Sequence, residues 1–334
     1  MKKSKVLVLL DCVGDPRPRF ETEAAKAGLD DLRIEIVPNA TELSSEELEA
    51  RVAGASALIT PLTLKVDDRL LDAAGRNLAV VANYAVGFDN IDLAACANHG
   101  VTVCNGPPPM TEPTADLAWT LLLGAIRRVR EGLSLATGGD WSGYDARLLL
   151  GHRLIGGTLL VVGAGRIGAA VARRSLGWNM RVLYTARSAK PDLESEPIKA
   201  SRTTLVDGLP QADAVVVTTA LTSETRHLID AAALALMKKK AVLVNVSRGP
   251  VVDESALAAA LAAGSIFAAG LDVYENEPVV HPDLVDLPNA LLLPHIASAT
   301  VEDREDLTAI CVDNVISVLA GREPRFVVRP PSGP

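Results

Sequence analysis

Short runs rich in Val, Ile and Leu alternate with longer amphipathic stretches along most of the chain, and no other feature narrows the possible folds as far. Between residue 5 and about residue 106 the runs are Lys5 to Leu10, Leu32 to Val37, Ala57 to Thr60, Leu78 to Ala82 and Val101 to Cys104. Strand, helix, strand in this rhythm predicts a parallel sheet with helices on its faces. The cluster Gly106-Pro107-Pro108-Pro109 can continue neither element, and Thr114 to Arg130 after it reads as one long connecting helix. A second series then runs through Leu159 to Val162, Arg181 to Tyr184, Ala214 to Thr218, Val242 to Val246, Ala268 to Val273 and Ala290 to Leu293. That is enough for a complete doubly wound sheet. A last helix over Val301 to Leu319 could return to pack on the first domain.

The expected fold is therefore α/β, with two doubly wound parallel-sheet domains and a cleft between them. Residues 1–108 with 300–334 would form one domain and residues 109–299 the other. A chain of 334 residues with 49% hydrophobic content suits two cores better than one. Its formal net charge of -8, with no concentrated basic stripe, speaks against a nucleic-acid surface. The basic start Met1-Lys2-Lys3-Ser4-Lys5 imitates a signal peptide, but the apolar run after it ends at Asp11 and reads as a first strand. No apolar stretch approaches the roughly 20 residues that span a bilayer, so no membrane contact and a cytoplasmic location are expected. Cys12, Cys96, Cys104 and Cys311 have no metal-ligand spacing and read as reduced core fillers, with no metal site.

Directly after the run Leu159 to Val162 stands Gly163-Ala164-Gly165-Arg166-Ile167-Gly168, followed by a helical stretch from Ala169 to Leu176. This is G-x-G-x-x-G in the setting that gives it meaning: Gly163 for the tight turn, Gly165 for close approach of a pyrophosphate to the backbone, Gly168 for helix packing on strand. The helix N-terminus would then face the anion, and Arg166 and Ile167 within the turn are counted with the glycines as cofactor-binding residues. About 20 residues further on, an Asp or Glu would hold the ribose hydroxyls of NAD, but the segment is Thr185-Ala186-Arg187-Ser188. Without that carboxylate, and with the Arg187 fork and the Thr185 and Ser188 hydroxyls, NADP(H) is preferred and NAD(H) remains possible. The plainer alternative for Arg187 is a surface cation meeting only solvent.

Three later segments stand at or beside expected strand ends: Asn245 to Gly249, Asp272 to Pro278 and Leu293 to Ser298. Ligands of open α/β sheets bind at the carboxyl ends of strands, so the three could converge. Reducing a keto acid needs a cation for the carboxylate and carbonyl oxygen, a proton donor for the nascent alkoxide, and a group that holds the donor protonated. Arg248, His295 and Glu277 supply these. Taken singly, a strand-end His or an Arg-Gly pair is more often structural; the set after a dinucleotide motif is what points to catalysis. His99, His152, His227 and His281 have no comparable company and read as surface or loop residues.

With these residues in place the chain resembles the D-isomer-specific 2-hydroxyacid dehydrogenase family from Lys5 to about Arg322, and Asn83 to Asp92, Thr114 to Ala118 and Met237 to Asp253 are also family-like. The resemblance implies a flavodoxin-like substrate domain beside a Rossmann cofactor domain. It also implies that the Val86 and Gly87 amides hold the substrate carboxylate, that Arg248 binds substrate too, and that Leu62 forms a pocket wall. Asp272 would lie near the nicotinamide amide, with Thr219, His295 and Ser298 also facing the cofactor. Thr185 to Ser188 resembles the NADPH-preferring glyoxylate and hydroxypyruvate reductases, so the implied partner is a small 2-keto or 2-hydroxy acid. Lactate-type and 2-ketogluconate-type dehydrogenases, and dinucleotide-sensing co-repressors of the same fold, are the alternatives. Family members are typically dimers, and Thr114 to Arg130 with the Trp141 loop resembles their contact, so a homodimer is expected.

Overall fold

The computed structural model describes residues 4–29, 31–106 and 109–329, so Met1 to Lys3, Asp30, Pro107, Pro108 and the tail Pro330 to Pro334 lie outside the described residues. The chain separates into two compact units, Met1–Met110 with Ala299–Pro334, and Thr111–Ser298.

The first unit holds five strands: β1 (Ser4–Val8), β2 (Leu32–Ile36), β3 (Ala57–Thr60), β4 (Val80–Asn83) and β5 (Thr102–Cys104). They lie parallel in the order β2-β1-β3-β4-β5, the flavodoxin-like arrangement. Because both faces are covered, β3 and β4 are buried along their whole length and show no polar alternation. Successive side chains still divide between two cores: Leu7 joins Leu58, Leu71 and Val81, while Val6 and Val8 join Phe20, Leu307 and Val315. Leu307 and Val315 belong to the helix Val301–Leu319, which starts under a Thr300 side-chain cap and covers this face. Each such fully buried aliphatic side chain contributes about 1.5–3 kcal/mol of transfer free energy.

The second unit holds seven parallel strands: β6 (Thr158–Val162), β7 (Arg181–Thr185), β8 (Ser201–Arg202), β9 (Ala214–Val217), β10 (Val242–Asn245), β11 (Ala268–Leu271) and β12 (Ala290–Leu292). Their order is β12-β11-β10-β9-β6-β7-β8. Strand succession reverses between β6 and β9, which is where doubly wound sheets open a crevice. One face packs on the helix Thr111–Ile126 through Ala115, Ala118, Leu121 and Leu122. That contact is close enough that a Cβ on Gly270 of β11 would meet the Leu121 Cβ at 2.8 Å.

Three sequence expectations need correction here. The helix expected from Thr114 to Arg130 ends at Ile126, and a separate helix Val129–Gly138 follows. Arg128 between them has φ 56, a left-handed conformation that breaks the helix without glycine or proline. The chain returning at Gly151 and His152 comes against Ile126, whose carbonyl accepts from the His152 N–H. The second sheet also has a seventh strand, β8, too short and too polar to register as an apolar run. The helix after the glycines begins at Arg166 rather than Ala169. Among the described residues no helix is long and apolar enough to cross a membrane.

All four cysteines are free; Cys12 is partly buried and the others fully. Burial pushes the Cys12 and Cys96 thiols up to about 11 and the Cys104 thiol to about 12, which keeps them protonated and inert.

Candidate active site

In the second unit, the polar groups at one end of the sheet sit just past the carboxyl ends of adjacent strands. After β11, the fully buried Asp272 accepts the N–H of Ile296 through one oxygen and that of Ala297 through the other, both at 2.8 Å. Burial raises its carboxyl pKa, against the lowering effect of those two N–H groups and the His295 charge. Two residues on, the Tyr274 hydroxyl donates to the Leu293 carbonyl at 2.8 Å. The loop after β12 is thus held on both sides of His295, which is kept at φ 54, outside the ordinary range for a residue with a side chain.

The His295 Nδ1 lies 2.8 Å from the Glu277 Oε2, while the other Glu277 oxygen accepts the Tyr274 N–H at 3.0 Å. Burial alone would push the Glu277 carboxyl up; the His295 contact, the Tyr274 N–H and the Arg248 charge together bring it below its ordinary value. The carboxylate therefore stays ionised and fixes the imidazole with Nε2 directed away from it.

Arg248 follows β10. Asn245 shapes this turn: its Nδ2 donates to the Arg248 carbonyl at 3.0 Å, and its Oδ1 accepts from the Ser247 N–H and hydroxyl. The next residue explains how the turn finds its neighbour, since a Cβ on Gly249 would fall 1.8 Å from the Tyr274 carbonyl carbon. Only glycine lets the Arg248 turn press onto the segment bearing Glu277. That segment is braced further by reciprocal bonds between Glu254 and Glu275, each backbone N–H donating to the other's carboxylate. His227, in the loop after β9, sits 2.9 Å from the Glu275 Oε2.

The switch point between β6 and β9 holds the glycine turn. Gly163 has φ 97, and a Cβ there would meet Thr219 at 2.7 Å; a Cβ on Gly168 would lie 2.4 Å from the Gly163 carbonyl oxygen. Both glycines are demanded by the protein itself. Gly165 is different, because a Cβ there would meet nothing within 4 Å. Open space above a turn at a helix start fits a group that approaches the backbone, as a dinucleotide pyrophosphate does.

A pocket of about 760 Å³ beside this turn is lined by Gly163, Thr185, Arg187, Arg202, Asp207 and Thr219, among others. Gly165 and Arg166 line a second hollow of about 380 Å³ with Lys190. Ile167 is half-buried against the sheet core, Ser188 is exposed and Ser298 is half-buried. Arg202 and Asp207 are charged residues of the larger pocket that the apolar patterning did not reveal. Among the described residues no cluster of His, Cys, Asp or Glu could hold a metal ion.

In the first unit, Val86 and Gly87 follow β4 and Leu62 follows β3, again at carboxyl ends. The Val86 carbonyl accepts from Asn105 Nδ2 and the Gly87 carbonyl from Asn83 Nδ2, both at 2.7 Å, while the Ala85 carbonyl accepts from the Gly106 N–H. In a trans peptide the N–H points opposite the carbonyl, so the Val86 and Gly87 N–H groups face away from these anchors. Asn90 bridges from Asn83 to the Leu64 carbonyl at 2.8 Å and so ties in the Leu62 turn. Asn83 and Asn90 were visible only as part of a family-like segment, and Asn105 not at all.

Comparison with known proteins agrees with this arrangement. Residues 119–297 match the model of the D-isomer specific 2-hydroxyacid dehydrogenase NAD-binding domain. A glyoxylate reductase of Thermococcus kodakarensis is 44% identical over 299 residues, covering 88% of this chain and 89% of the relative. A crystal structure of a Thermus thermophilus protein superposes with a TM-score of 0.87 at 40% identity, covering 97% of this chain and 99% of that one. An NADPH-dependent glyoxylate/hydroxypyruvate reductase from Sinorhizobium meliloti, in complex with NADP and malonate, gives 0.82 at 31% identity over 98% and 97% of the two chains. With its two parallel α/β sheets and its strand-end residues, the chain belongs to the D-isomer specific 2-hydroxyacid dehydrogenase family.

Proposed function

We propose that the protein reduces small 2-keto acids, glyoxylate and hydroxypyruvate foremost, to 2-hydroxy acids with NADPH. The observation that carries this reading is the 2.8 Å His295–Glu277 pair with the Arg248 turn packed alongside it. Residues 109–299 are assigned as the dinucleotide-binding domain, and 1–108 with 300–334 as the substrate-binding domain. A bound reduced nicotinamide supplies hydride to the keto carbon. His295, protonated and aligned by Glu277, gives its Nε2 proton to the carbonyl oxygen and becomes neutral; in the reverse direction the neutral ring is the base. Arg248 draws electron density towards the oxygen and stabilises the charge that gathers there.

In the first unit, the Val86 and Gly87 N–H groups are our candidates for the substrate carboxylate and Leu62 for the pocket wall. In the second, Gly163 to Gly168 would hold the pyrophosphate, Arg187 with Thr185 and Ser188 the 2'-phosphate, and Thr219, Asp272 and Ser298 the nicotinamide side. The names of the relatives support this choice of substrate class. A homodimer is proposed through the helix Val129–Gly138 and the segment after it, because that helix buries no residue and Leu133, Trp141, Tyr144 and Leu150 stand exposed.

Steady-state oxidation of NADPH and of NADH, followed by the near-ultraviolet absorbance of the reduced cofactor, tests the assignment with glyoxylate, hydroxypyruvate, pyruvate and 2-ketogluconate. Fast NADPH loss with either of the first two is expected. Preference for pyruvate or 2-ketogluconate would move the protein to another branch of the family, and NADPH binding without turnover of any acid would replace the enzyme by a sensor.

A further inference from the structure

The loop that leaves β7 is held by a residue outside it. Arg202 belongs to the two-residue edge strand β8, opposite Tyr184 in register. Its Nε donates to the Ala186 carbonyl at 3.0 Å and its Nη2 to the Arg187 carbonyl at 2.8 Å. One planar fork thus takes two consecutive peptide oxygens of the loop. The far end of the loop is tied as well, since the Tyr184 hydroxyl accepts the Lys190 N–H at 2.8 Å and donates to Glu194.

Arg202 and Arg187 line the same pocket of about 760 Å³. Among the described residues neither guanidinium forms an ion pair with a carboxylate. The carboxylate that shares the pocket, Asp207, accepts a hydrogen bond from the Thr204 hydroxyl at 2.7 Å in a helix cap. Two cations lining one pocket repel each other, and the single carboxylate of Asp207 balances at most one of them, so a dianion between them would lower that cost. The orientation of the peptides matters equally: carbonyl oxygens turned into an anion site would repel its occupant, and Arg202 takes up those of Ala186 and of Arg187 itself.

We propose that Arg202 is a specificity-determining residue for the phosphorylated dinucleotide: it fixes the Ala186 and Arg187 peptides with their oxygens engaged and adds its charge to that of Arg187 for the ribose 2'-phosphate. This rests on the NADPH reading above, and it names a second residue for it on a different strand. A purely structural brace would support the adenosine side of NADPH and NADH alike, so the ratio of the two affinities separates the readings.

The experiment measures dissociation constants of NADPH and NADH by fluorescence titration of the full-length protein, for wild type, Arg187→Ala, Arg202→Ala and Arg202→Lys, with the thermal midpoint of each cofactor-free protein as a check on folding. Arg202→Ala is expected to weaken NADPH about tenfold, the scale of one charge-assisted hydrogen bond, and NADH less than about twofold. Arg202→Lys keeps a charge but cannot span both carbonyls, and is expected to show the same bias in smaller size. If Arg202→Ala proves too unstable to titrate, the lysine variant decides alone. Equal losses for both cofactors, or none, overturn the proposal while a selective loss in Arg187→Ala leaves the 2'-phosphate reading standing. If wild type shows no preference and Arg187→Ala none either, the cofactor reading has failed and the role of Arg202 falls with it.

Discussion

The two sheets finish their strands with different materials. Past β3, β4 and β5 the contacts are amides: Asn83, Asn90 and Asn105 donate to the backbone carbonyls of Gly87, Leu64 and Val86. Past β10, β11 and β12 they are ionisable groups, Arg248, Asp272, Glu277 and His295, most of them bonded to backbone or to one another. An amide network offers fixed backbone N–H groups whose donor strength does not change with pH. A carboxylate–imidazole pair can move a proton. The difference teaches that one set is suited to holding an anion and the other to moving a proton.

The largest effect that would break this division is expected from His295→Ala. Losing the proton donor should lower kcat about a thousandfold while the dissociation constant of NADPH stays near that of wild type. Turnover within tenfold of wild type would remove the ionisable set from the chemistry. Asp272→Asn comes next, because an amide can accept only one of the two N–H groups that Asp272 now accepts. About 1–3 kcal/mol of stability in urea unfolding and about a hundredfold in kcat should be lost, and an unchanged unfolding midpoint would mean that the His295 loop is held by something else.

Asn105→Ala probes the amide set. It should raise KM for the keto acid about tenfold, with the shape of the pH profile and the NADPH affinity intact. A fall in kcat at unchanged KM would erase the contrast. The smallest effect concerns acid stability. Glu277 is held below its ordinary range in the folded protein, so its contribution is present above that range and is lost as pH falls through the depressed folded value. Below about pH 4.5 the thermal midpoint of wild type should therefore drop more steeply than that of Glu277→Gln; parallel curves would show that the pair adds nothing to folding.

The fold was legible because buried parallel strands are continuous apolar runs, and Ala57 to Thr60 coincides with β3 to the residue. The glycine turn was legible because its determinants are local. β8 was not, since two polar edge residues carry no periodicity, and neither was the break at Arg128, which depends on chain returning from Gly151 rather than on any residue at the break. The same holds at the site. Arg248, Glu277 and His295 could be picked out by type and place. The Gly249 contact on Tyr274, the Glu254–Glu275 exchange and the Arg202 clamp join residues well separated along the chain, and no one-dimensional pattern records such pairings.

The empty space around Gly165 separates two kinds of constraint within one six-residue turn. Exchange of Gly163 or Gly168 for alanine would register in any screen that scores folded protein, because their neighbours are protein atoms. Exchange at Gly165 would pass such a screen, since the apo chain has room for the methyl. Its penalty would surface only when variants are ranked with the dinucleotide present, so a library sorted by stability alone would be enriched in well-folded proteins that cannot hold their cofactor.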